Sequence, residues 1–243
     1  MIKANKRYGQ NFLQDIKVIE LICKHVDPNH PILEIGPGTG ALTYCLAEFN
    51  PCNMSVVEID GRLIPQLSKD NRFKVIHADI LDLDINQLIS VPAQIIGNLP
   101  YNIGAKILMK LIQAFHNILS IGVMLQLEVA RSIVNHTSRL GAVLHFYFEV
   151  TELCTVSPKC FTPQPKVWST FIILKPRSEA LEHLHLASAH HKVVTLSYSK
   201  RRKQLINNLS SIIDMNHPYA HLRAEQLTRD QFIELAILYH GTL

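Results

Sequence analysis

Several features of secreted and membrane proteins are missing from this sequence. It has only five cysteines in 243 residues, an odd number with no Cys-x-x-Cys pair. This argues against a disulfide framework and favours free thiols in a reducing compartment. No apolar run reaches the length that a membrane span requires. The first seven residues are mostly polar and basic, with no apolar stretch behind them. We therefore expect no secretory signal and a cytoplasmic protein.

Charged residues and metal-ligand patterns are also scarce. Charged residues make up 18% of the chain and hydrophobic residues 47%, a composition typical of globular and not of disordered proteins. Thirteen histidines are present, but His183-Leu184-His185 and His190-His191 have no cysteine or acidic residue at ligand spacing. We therefore expect no metal site.

The net charge of +4 is spread unevenly along the chain. Residues 175–243 carry nine Lys or Arg against six Asp or Glu, and Lys200-Arg201-Arg202-Lys203 form a run of four basic residues. Basic clusters can contact nucleic-acid phosphates, although they are also common on solvated helix faces and at helix ends. The candidate RNA contacts are Lys6, Arg7, Lys166, Lys200, Arg201, Arg202 and Lys203.

Short apolar runs alternate with helical patterns between residue 14 and about residue 135. Strands that alternate with helices favour a parallel sheet covered on both faces. We therefore predict a doubly wound, Rossmann-like α/β domain. Its predicted strands are residues 32–35, 56–59, 74–78, 94–97 and 121–125, and its predicted helices are residues 41–48 and 104–114.

Two further extended stretches are predicted, at residues 143–156 and 167–174, with a proline-rich segment between them. They could complete one edge of the sheet as a hairpin-like antiparallel pair. Trp168 lies in the second stretch, which is apolar, so we expect it in the core.

Beyond Lys175 the pattern is helical and poor in glycine. Thr228-Arg229-Asp230-Gln231 has the form of a capping box that opens a helix through Leu238. We therefore predict two domains, one of residues 1–174 and a small helical one of residues 175–243.

A glycine-rich segment, residues 34–40 (Glu-Ile-Gly-Pro-Gly-Thr-Gly), links the first predicted strand to a helix. Glycines allow a sharp turn and close approach of a ligand, and a helix start offers free N–H groups. The spacing matches neither the dinucleotide fingerprint nor a P-loop, so the loop alone fits a plain structural turn equally well. Glu58 and Asp79 end the next two strands. The glycine loop, Glu58 and Asp79 would then face one crevice at the carboxyl edge of the sheet. An acid in that position can bind ribose hydroxyls, so the three together favour a cofactor site.

Asn98-Leu99-Pro100-Tyr101 follows the fourth predicted strand, at the same edge. Pro100 fixes its own φ and pushes Leu99 into an extended conformation, so the turn would hold the Asn98 side chain and the Leu99 carbonyl rigidly. These acceptors could bind both N–H bonds of adenine N6 and favour a localised nitrogen lone pair as it attacks a methyl group. Tyr101 could stack on a base taken out of its helix. Taken alone, the segment slightly favours a plain proline-containing loop.

Together these segments resemble the rRNA adenine N6,N6-dimethyltransferase family of the KsgA (RsmA) type. Several motifs in the right order are far more specific than any single one. The matching segments are Gly9-Gln10-Asn11-Phe12-Leu13, residues 34–43, Val57-Glu58-Ile59-Asp60, Ala78-Asp79-Ile80, residues 98–103, Phe161-Thr162-Pro163, Pro165-Lys166-Val167, and Arg201-Arg202-Lys203 with Leu205.

The resemblance implies a class I S-adenosylmethionine methyltransferase domain with a helical, RNA-contacting domain behind it, acting as a monomer. The implied reaction transfers methyl groups from S-adenosylmethionine to N6 of two adjacent adenines in a 3′-terminal hairpin of 16S (small-subunit) rRNA, during ribosome biogenesis. The target adenine would lie between Tyr101 and Phe161. The implied catalytic residues are Asn98, Leu99, Pro100, Tyr101 and Phe161. The implied cofactor contacts are Gln10, Asn11, Leu13, Gly36, Gly38, Gly40, Glu58, Ile59, Asp79, Ile80 and Asn98.

Other functions fit parts of the same evidence. A large-subunit rRNA methyltransferase of the antibiotic-resistance type tends to carry Ile where Leu99 stands. A DNA adenine methyltransferase typically has Asp where Asn98 stands. A non-catalytic factor that binds immature small subunits is the alternative outside enzymes. The sequence also departs from the family pattern through a shortened stretch at residues 131–140 and through Leu127, Ser157, Gln164 and Trp168.

Overall fold

The computed structural model describes residues 3–241, apart from the side chain of Lys6. Within that range the strands are β1 Phe12–Leu13, β2 Ile32–Ile35, β3 Met54–Glu58, β4 Lys74–His77, β5 Ala93–Asn98, β6 Ile118–Gln126, β7 Phe148–Val156, β8 Phe161–Thr162 and β9 Ser169–Pro176. The α-helices are α1 Ile16–Cys23, α2 Ala41–Ala47, α3 Ile64–Leu67, α4 Ile85–Leu88, α5 Gly104–Leu111, α6 Leu127–Val134, α7 Arg139–Tyr147, α8 Ser178–Glu182, α9 Ala187–Ser197 and α10 Arg229–His240.

Seven strands form one sheet in the order β4-β3-β2-β5-β6-β9-β7, and β1 pairs separately with β8. The strands from β4 to β6 are parallel, and β9 runs antiparallel to β6. β2 is the middle one of the five parallel strands, and each of its four residues is buried, as expected for a strand covered on both faces. The predicted doubly wound α/β fold is therefore confirmed, including the completion of one sheet edge by β9 and β7.

The chain divides into two compact units. The first comprises Met1–Ala130 and Thr151–Lys175, and the second comprises Arg131–Val150 and Pro176–Leu243. The division of the chain into functional domains at residues 174 and 175 stays a prediction. The compact units differ from it because they place Arg131–Val150 with the tail.

The second unit is largely helical, and its last helix begins where the sequence predicts. Thr228 caps α10: its hydroxyl accepts the Gln231 N–H at 3.3 Å, and the Thr228 N–H donates to the Gln231 side chain at 2.9 Å. This reciprocal pairing satisfies two N–H groups at the helix start.

The prediction of an extended stretch from residue 143 is wrong, because residues 143–147 belong to α7. The Ser138 hydroxyl accepts the Gly141 N–H at 3.1 Å and caps this helix, which then buries Val143, Leu144 and Phe146. A short continuous apolar run does not by itself distinguish a buried helix from a buried strand. β7 begins only at Phe148.

The expectation that Trp168 lies in the core is also wrong. Its side chain is 50% exposed, and β9 begins one residue later at Ser169. No helix within residues 3–241 is both long and apolar enough to cross a membrane.

Candidate active site

A cavity of about 320 Å³ opens in the first unit at the carboxyl ends of the parallel strands. Ligands of open α/β sheets bind at this edge, where the loops after successive strands converge. The segments that line it are the loop after β2, the ends of β3 and β4, the turn after β5, and residues 7–13 of the N-terminal segment.

The glycine loop after β2 turns sharply away from the sheet. Gly36 and Gly38 have φ values of 71° and 57°, a left-handed region that glycine adopts without strain. A Cβ on Gly38 would lie 2.9 Å from the Phe12 ring, whereas the space around Gly36 is open. The loop therefore packs against the N-terminal segment at Gly38 and leaves its main chain accessible to a ligand at Gly36.

Glu58 ends β3 with its carboxylate held by two main-chain donors. Its oxygens accept the Gly38 N–H at 3.0 Å and the Asp60 N–H at 2.8 Å. Burial raises the pKa of this carboxyl, while the two N–H donors lower it. Because a carboxylate has about four acceptor positions, Glu58 keeps lone pairs for further donors, such as the hydroxyls of a ligand. Ile59, an exposed apolar residue, follows it on the cavity wall.

Asp79 and Ile80 lie on the cavity wall just after β4. The Asp79 carboxylate accepts the Leu81 N–H at 2.8 Å, which fixes the turn. Ile80 is buried. The Asp79 carboxylate suits the polar edge of a purine, and the apolar side chain of Ile59 suits its flat face.

Glu34, the first residue of the glycine-loop motif, is a buried acid on the wall of the cavity. Burial raises its pKa to about 8, and the nearby Glu58 carboxylate contributes to the increase. The Thr43 hydroxyl is close enough to lower this pKa, but neither it nor the Glu34 Oε2 atom has a hydrogen bond of normal geometry among the described residues. An unpartnered buried carboxyl is costly unless a ligand supplies a donor or a positive charge.

Asn98 stands at the end of β5 with its amide group oriented by the N-terminal segment. Its Nδ2 donates to the main-chain carbonyl of Asn11 at 2.8 Å. Among the described residues no donor bonds the Asn98 Oδ1 atom or the Leu99 carbonyl. Pro100 continues the turn, and its own carbonyl accepts the N–H groups of Ile103 and Gly104. Two residues that line the cavity thus keep acceptors without internal donors, in a turn that is itself hydrogen-bonded.

Tyr101 completes the turn and lines the cavity. Its hydroxyl lies 2.6 Å from the Ser169 Oγ at the start of β9. Burial raises the pKa of Tyr101, and the bond to Ser169 lowers it. The ring is therefore held at both ends, by the turn and by β9.

The N-terminal segment is fastened to the site through Gln10. Its Nε2 donates to Asp60 at 2.9 Å, and its Oε1 accepts the Asn5 N–H at 2.7 Å. Asp60 also forms an ion pair with Arg62 at 2.5 Å, and the hydrogen bonds from Arg62 and Gln10 lower its pKa to about 2. Both amide atoms of Gln10 are therefore hydrogen-bonded within the protein, and the carbonyl of its neighbour Asn11 is bonded to Asn98.

Two predicted site residues are not on the cavity wall. Gly40 precedes α2 at its N-cap, with φ 90°. Phe161 is 1% exposed within the hydrophobic core, because Phe161 in β8 pairs with Leu13 in β1. In this structure Phe161 is buried and is not on the cavity wall, and that Tyr101 and Phe161 enclose the target base stays a prediction. The predicted residues on the wall are Gln10, Asn11, Leu13, Gly36, Gly38, Glu58, Ile59, Asp79, Ile80, Asn98, Leu99, Pro100 and Tyr101.

The predicted RNA contacts are distributed over both units. Arg7 is exposed and lines the cavity, and Lys166 is exposed in the first unit. Lys200 to Lys203 are all exposed in the second unit, where Arg201 pairs with Glu225 at 3.4 Å. The side chain of Lys6 lies outside the described part of the chain. Among residues 3–241 no group of three or more potential ligands could hold a metal ion.

Sequence reasoning assigned no role to Glu34, Asp60 or Ser169. Glu34 and Asp60 lie inside matched motifs, so their acidic character was the available signal. Nothing in the local sequence indicates that the Ser169 hydroxyl meets Tyr101, because these residues are 68 positions apart and contact only through the fold.

A parallel sheet in this order, with a glycine loop after β2, acids after β3 and β4, and an Asn-Leu-Pro-Tyr turn after β5, defines a class I S-adenosylmethionine-dependent methyltransferase. The sequence model of the Ribosomal RNA adenine dimethylase family matches residues 1–237. The chain belongs to this family.

Individual relatives agree with that assignment. A Ribosomal RNA small subunit methyltransferase A from Francisella tularensis subsp. tularensis (strain FSC 198) is 38% identical over 256 aligned positions, which cover 96% of this chain and 97% of the relative. The crystal structure of the 23S rRNA methyltransferase ErmE is 26% identical, with a TM-score of 0.75, and covers 95% of this chain and 100% of ErmE. A dimethyladenosine transferase from Plasmodium falciparum shares the fold, with a TM-score of 0.78 at 21% identity over 95% of this chain and 98% of that one.

Proposed function

We propose that this protein dimethylates N6 of two adjacent adenines in a 3′-terminal hairpin of 16S (small-subunit) rRNA. It would act as a monomer in the cytoplasm, during ribosome biogenesis. Sequence identity favours the small subunit over the large one. The relatives named for the small subunit are 38% identical to this chain, against 26% for the 23S rRNA enzyme, at similar coverage of this chain.

The residues of the cavity fit S-adenosylmethionine. Glu58 would bind the ribose hydroxyls, Asp79 with Ile59 and Ile80 the adenine, and the main chain at Gly36 the amino-acid end. The unpartnered Oε2 of Glu34 would accept the ammonium group, which removes the cost of leaving that oxygen unsatisfied. When bound, S-adenosylmethionine supplies an electrophilic methyl group on a sulfonium.

The single observation that carries the proposed chemistry is the hydrogen bond from Asn98 Nδ2 to the Asn11 carbonyl. It occupies one N–H of the amide and leaves Oδ1, an acceptor, without an internal donor in a residue that lines the cavity. Oδ1 and the Leu99 carbonyl then accept the two N–H bonds of the target amine. This arrangement withdraws the nitrogen lone pair from the ring and stabilises the amine more as it becomes tetrahedral than in its planar ground state.

The remaining residues of the turn position the base. Pro100 restricts the conformations of Leu99 and itself, and Tyr101 offers a ring, fixed by Ser169, on which an extruded adenine stacks. No strong general base is required, because the amine proton becomes acidic once the nitrogen carries the new methyl group.

The function is tested by adding labelled S-adenosylmethionine and purified protein to undermethylated small subunits and, in parallel, to large subunits. The proposal predicts label in the small subunit alone, recovered as N6,N6-dimethyladenosine. Label in the large subunit alone would identify the resistance-type activity instead, and no label in either would leave an RNA-binding factor.

A further inference from the structure

Trp168 is the only tryptophan of the chain, and half of its side chain is exposed. Its neighbours Val167 and Lys166 are exposed as well. A large aromatic side chain that is half exposed forgoes part of the stabilisation that full burial would give. Because the next residue, Ser169, binds Tyr101, a partner that covers this ring would gain that stabilisation next to the candidate active site.

The position of Trp168 is fixed by the main chain on both sides. Its carbonyl accepts the Leu127 N–H at 2.9 Å, and the next residue, Ser169, is paired in the sheet with Gln126 at the end of β6. The tryptophan is therefore held on an ordered main chain, which reduces the entropy lost when a partner binds.

Trp168 also lies at the same edge of the sheet as the candidate catalytic turn. Asn98 is in register with Met124 of β6, and Ser169 is in register with Gln126, two residues further towards that edge. Ser169 is buried and binds the Tyr101 hydroxyl. The exposed Trp168 ring therefore belongs to the residue that directly precedes Ser169, the residue that holds Tyr101.

We propose that Trp168 is a stacking platform for an unpaired RNA base that neighbours the target adenine. The inference rests on the proposed function, in which Tyr101 receives the target base. An aromatic face accepts any base by stacking, and the Lys166 ammonium, two residues away, complements the phosphate that links adjacent nucleotides. This combination of a flat apolar ring and a cation, directly before the residue that binds Tyr101, suits a nucleotide better than a protein surface.

The single tryptophan allows a direct test without substitution. Selective excitation of Trp168 is followed while the protein is titrated with an RNA hairpin whose loop contains unpaired adenines, and with a fully paired duplex of the same length. The proposal predicts saturable quenching by the looped hairpin and little change with the duplex. Unchanged fluorescence at saturating looped RNA, or equal quenching by both RNAs, would overturn it.

Substitutions then separate stacking from folding. Trp168→Ala should weaken binding of the looped hairpin about tenfold, within the range measured for loss of one stacking residue, and raise KM for RNA without changing KM for S-adenosylmethionine. Trp168→Phe should retain most of the affinity. Phe49→Ala is the matched control, because Phe49 is 47% exposed and follows α2, at the opposite edge of the sheet.

Three outcomes would overturn the inference: Trp168→Ala binding as tightly as the native chain, Trp168→Phe losing as much as Trp168→Ala, or a defect confined to whole subunits and absent with naked RNA. The last would assign the surface to a ribosomal protein. The Asn98→Ala variant separates RNA binding at Trp168 from catalysis. It should lose methyl transfer, and its Trp168 fluorescence should still be quenched by looped RNA.

Discussion

The side chain of Asn98 donates from Nδ2 to the main-chain carbonyl of Asn11, with 2.8 Å between the two atoms. The two residues are 87 positions apart, and Asn11 is held in place by its neighbour Gln10, which bonds to Asp60. The N-terminal segment therefore does more than cover the cavity. It determines which of the two amide atoms of Asn98 is left without an internal partner.

Replacing Asn98 by aspartate tests this orientation. In Asn98→Asp, a carboxylate oxygen would face the Asn11 carbonyl in place of a donor, and the two acceptors would repel each other. We expect kcat for methyl transfer to fall about a hundredfold or more, as for loss of one preorganised catalytic hydrogen bond, with little change in cofactor affinity. Single-turnover transfer of labelled methyl groups gives the rate, and Asn71→Ala at an exposed site serves as the control. Native kcat in Asn98→Asp would contradict the assigned role.

Glu34 should couple cofactor binding to proton release. Its pKa of about 8 keeps the carboxyl protonated near neutral pH. The ammonium group of the cofactor favours the ionised form, so binding at a pH of about 7 should release close to one proton and should strengthen as the pH rises towards 8. Calorimetry in buffers of different ionisation enthalpy measures the release. Glu34→Gln should abolish it, and an equal release from that variant would show that another group titrates.

Buried histidines should make the second unit sensitive to acid. His190 is fully buried, stacks at 4.4 Å on Phe146, and has no hydrogen-bond partner among the described residues for either ring nitrogen. Burial, with the nearby charges of His191, His136 and Arg229, lowers its pKa to about 3. Because the unfolded chain takes up a proton at a pH of about 6.5 and the folded chain does not, stability is full above that pH and falls as the pH decreases towards 3.

Replacing this histidine by an apolar ring should remove that loss. We expect His190→Phe to flatten the dependence of the unfolding free energy on pH between about 6.5 and 4, measured by denaturant titration at several pH values. His221→Phe, at an exposed position of the same unit, should leave the dependence unchanged. A native pH profile in His190→Phe would mean that the other histidines with lowered pKa values dominate, namely His136, His145 and His191.

The basic run of the second unit should contribute to RNA affinity through its charge. Arg201 and Arg202 are exposed, and Arg202 and Lys203 line a polar depression in that unit. Replacing Arg201 and Arg202 together by alanine should weaken RNA binding and reduce the slope of log K against log salt by about 1.5 to 2, the loss of two phosphate contacts. Filter binding across a salt series measures it, and an unchanged slope would remove this run from the interface.

The strands and the two loops of the site could be predicted because their signals are local. The Glu34 to Gly40 segment and the Asn98 to Tyr101 turn carry glycine and proline chemistry that restricts the main chain directly. Tertiary packing determines the burial of Phe161 and the exposure of Trp168, which local sequence does not show. Nothing near Phe161 in sequence indicates that pairing with Leu13 buries it, and nothing near Trp168 indicates that β9 begins one residue later.

The most direct test is mass mapping of methylated adenines in 16S rRNA from cells without this protein, complemented with the native chain or with Asn98→Ala. The account predicts two adjacent N6,N6-dimethyladenosines near the 3′ end with the native chain. It predicts none with Asn98→Ala produced at the same level and equally well folded. Restoration of both dimethyladenosines by Asn98→Ala, or no difference between cells with and without the native chain, would contradict it.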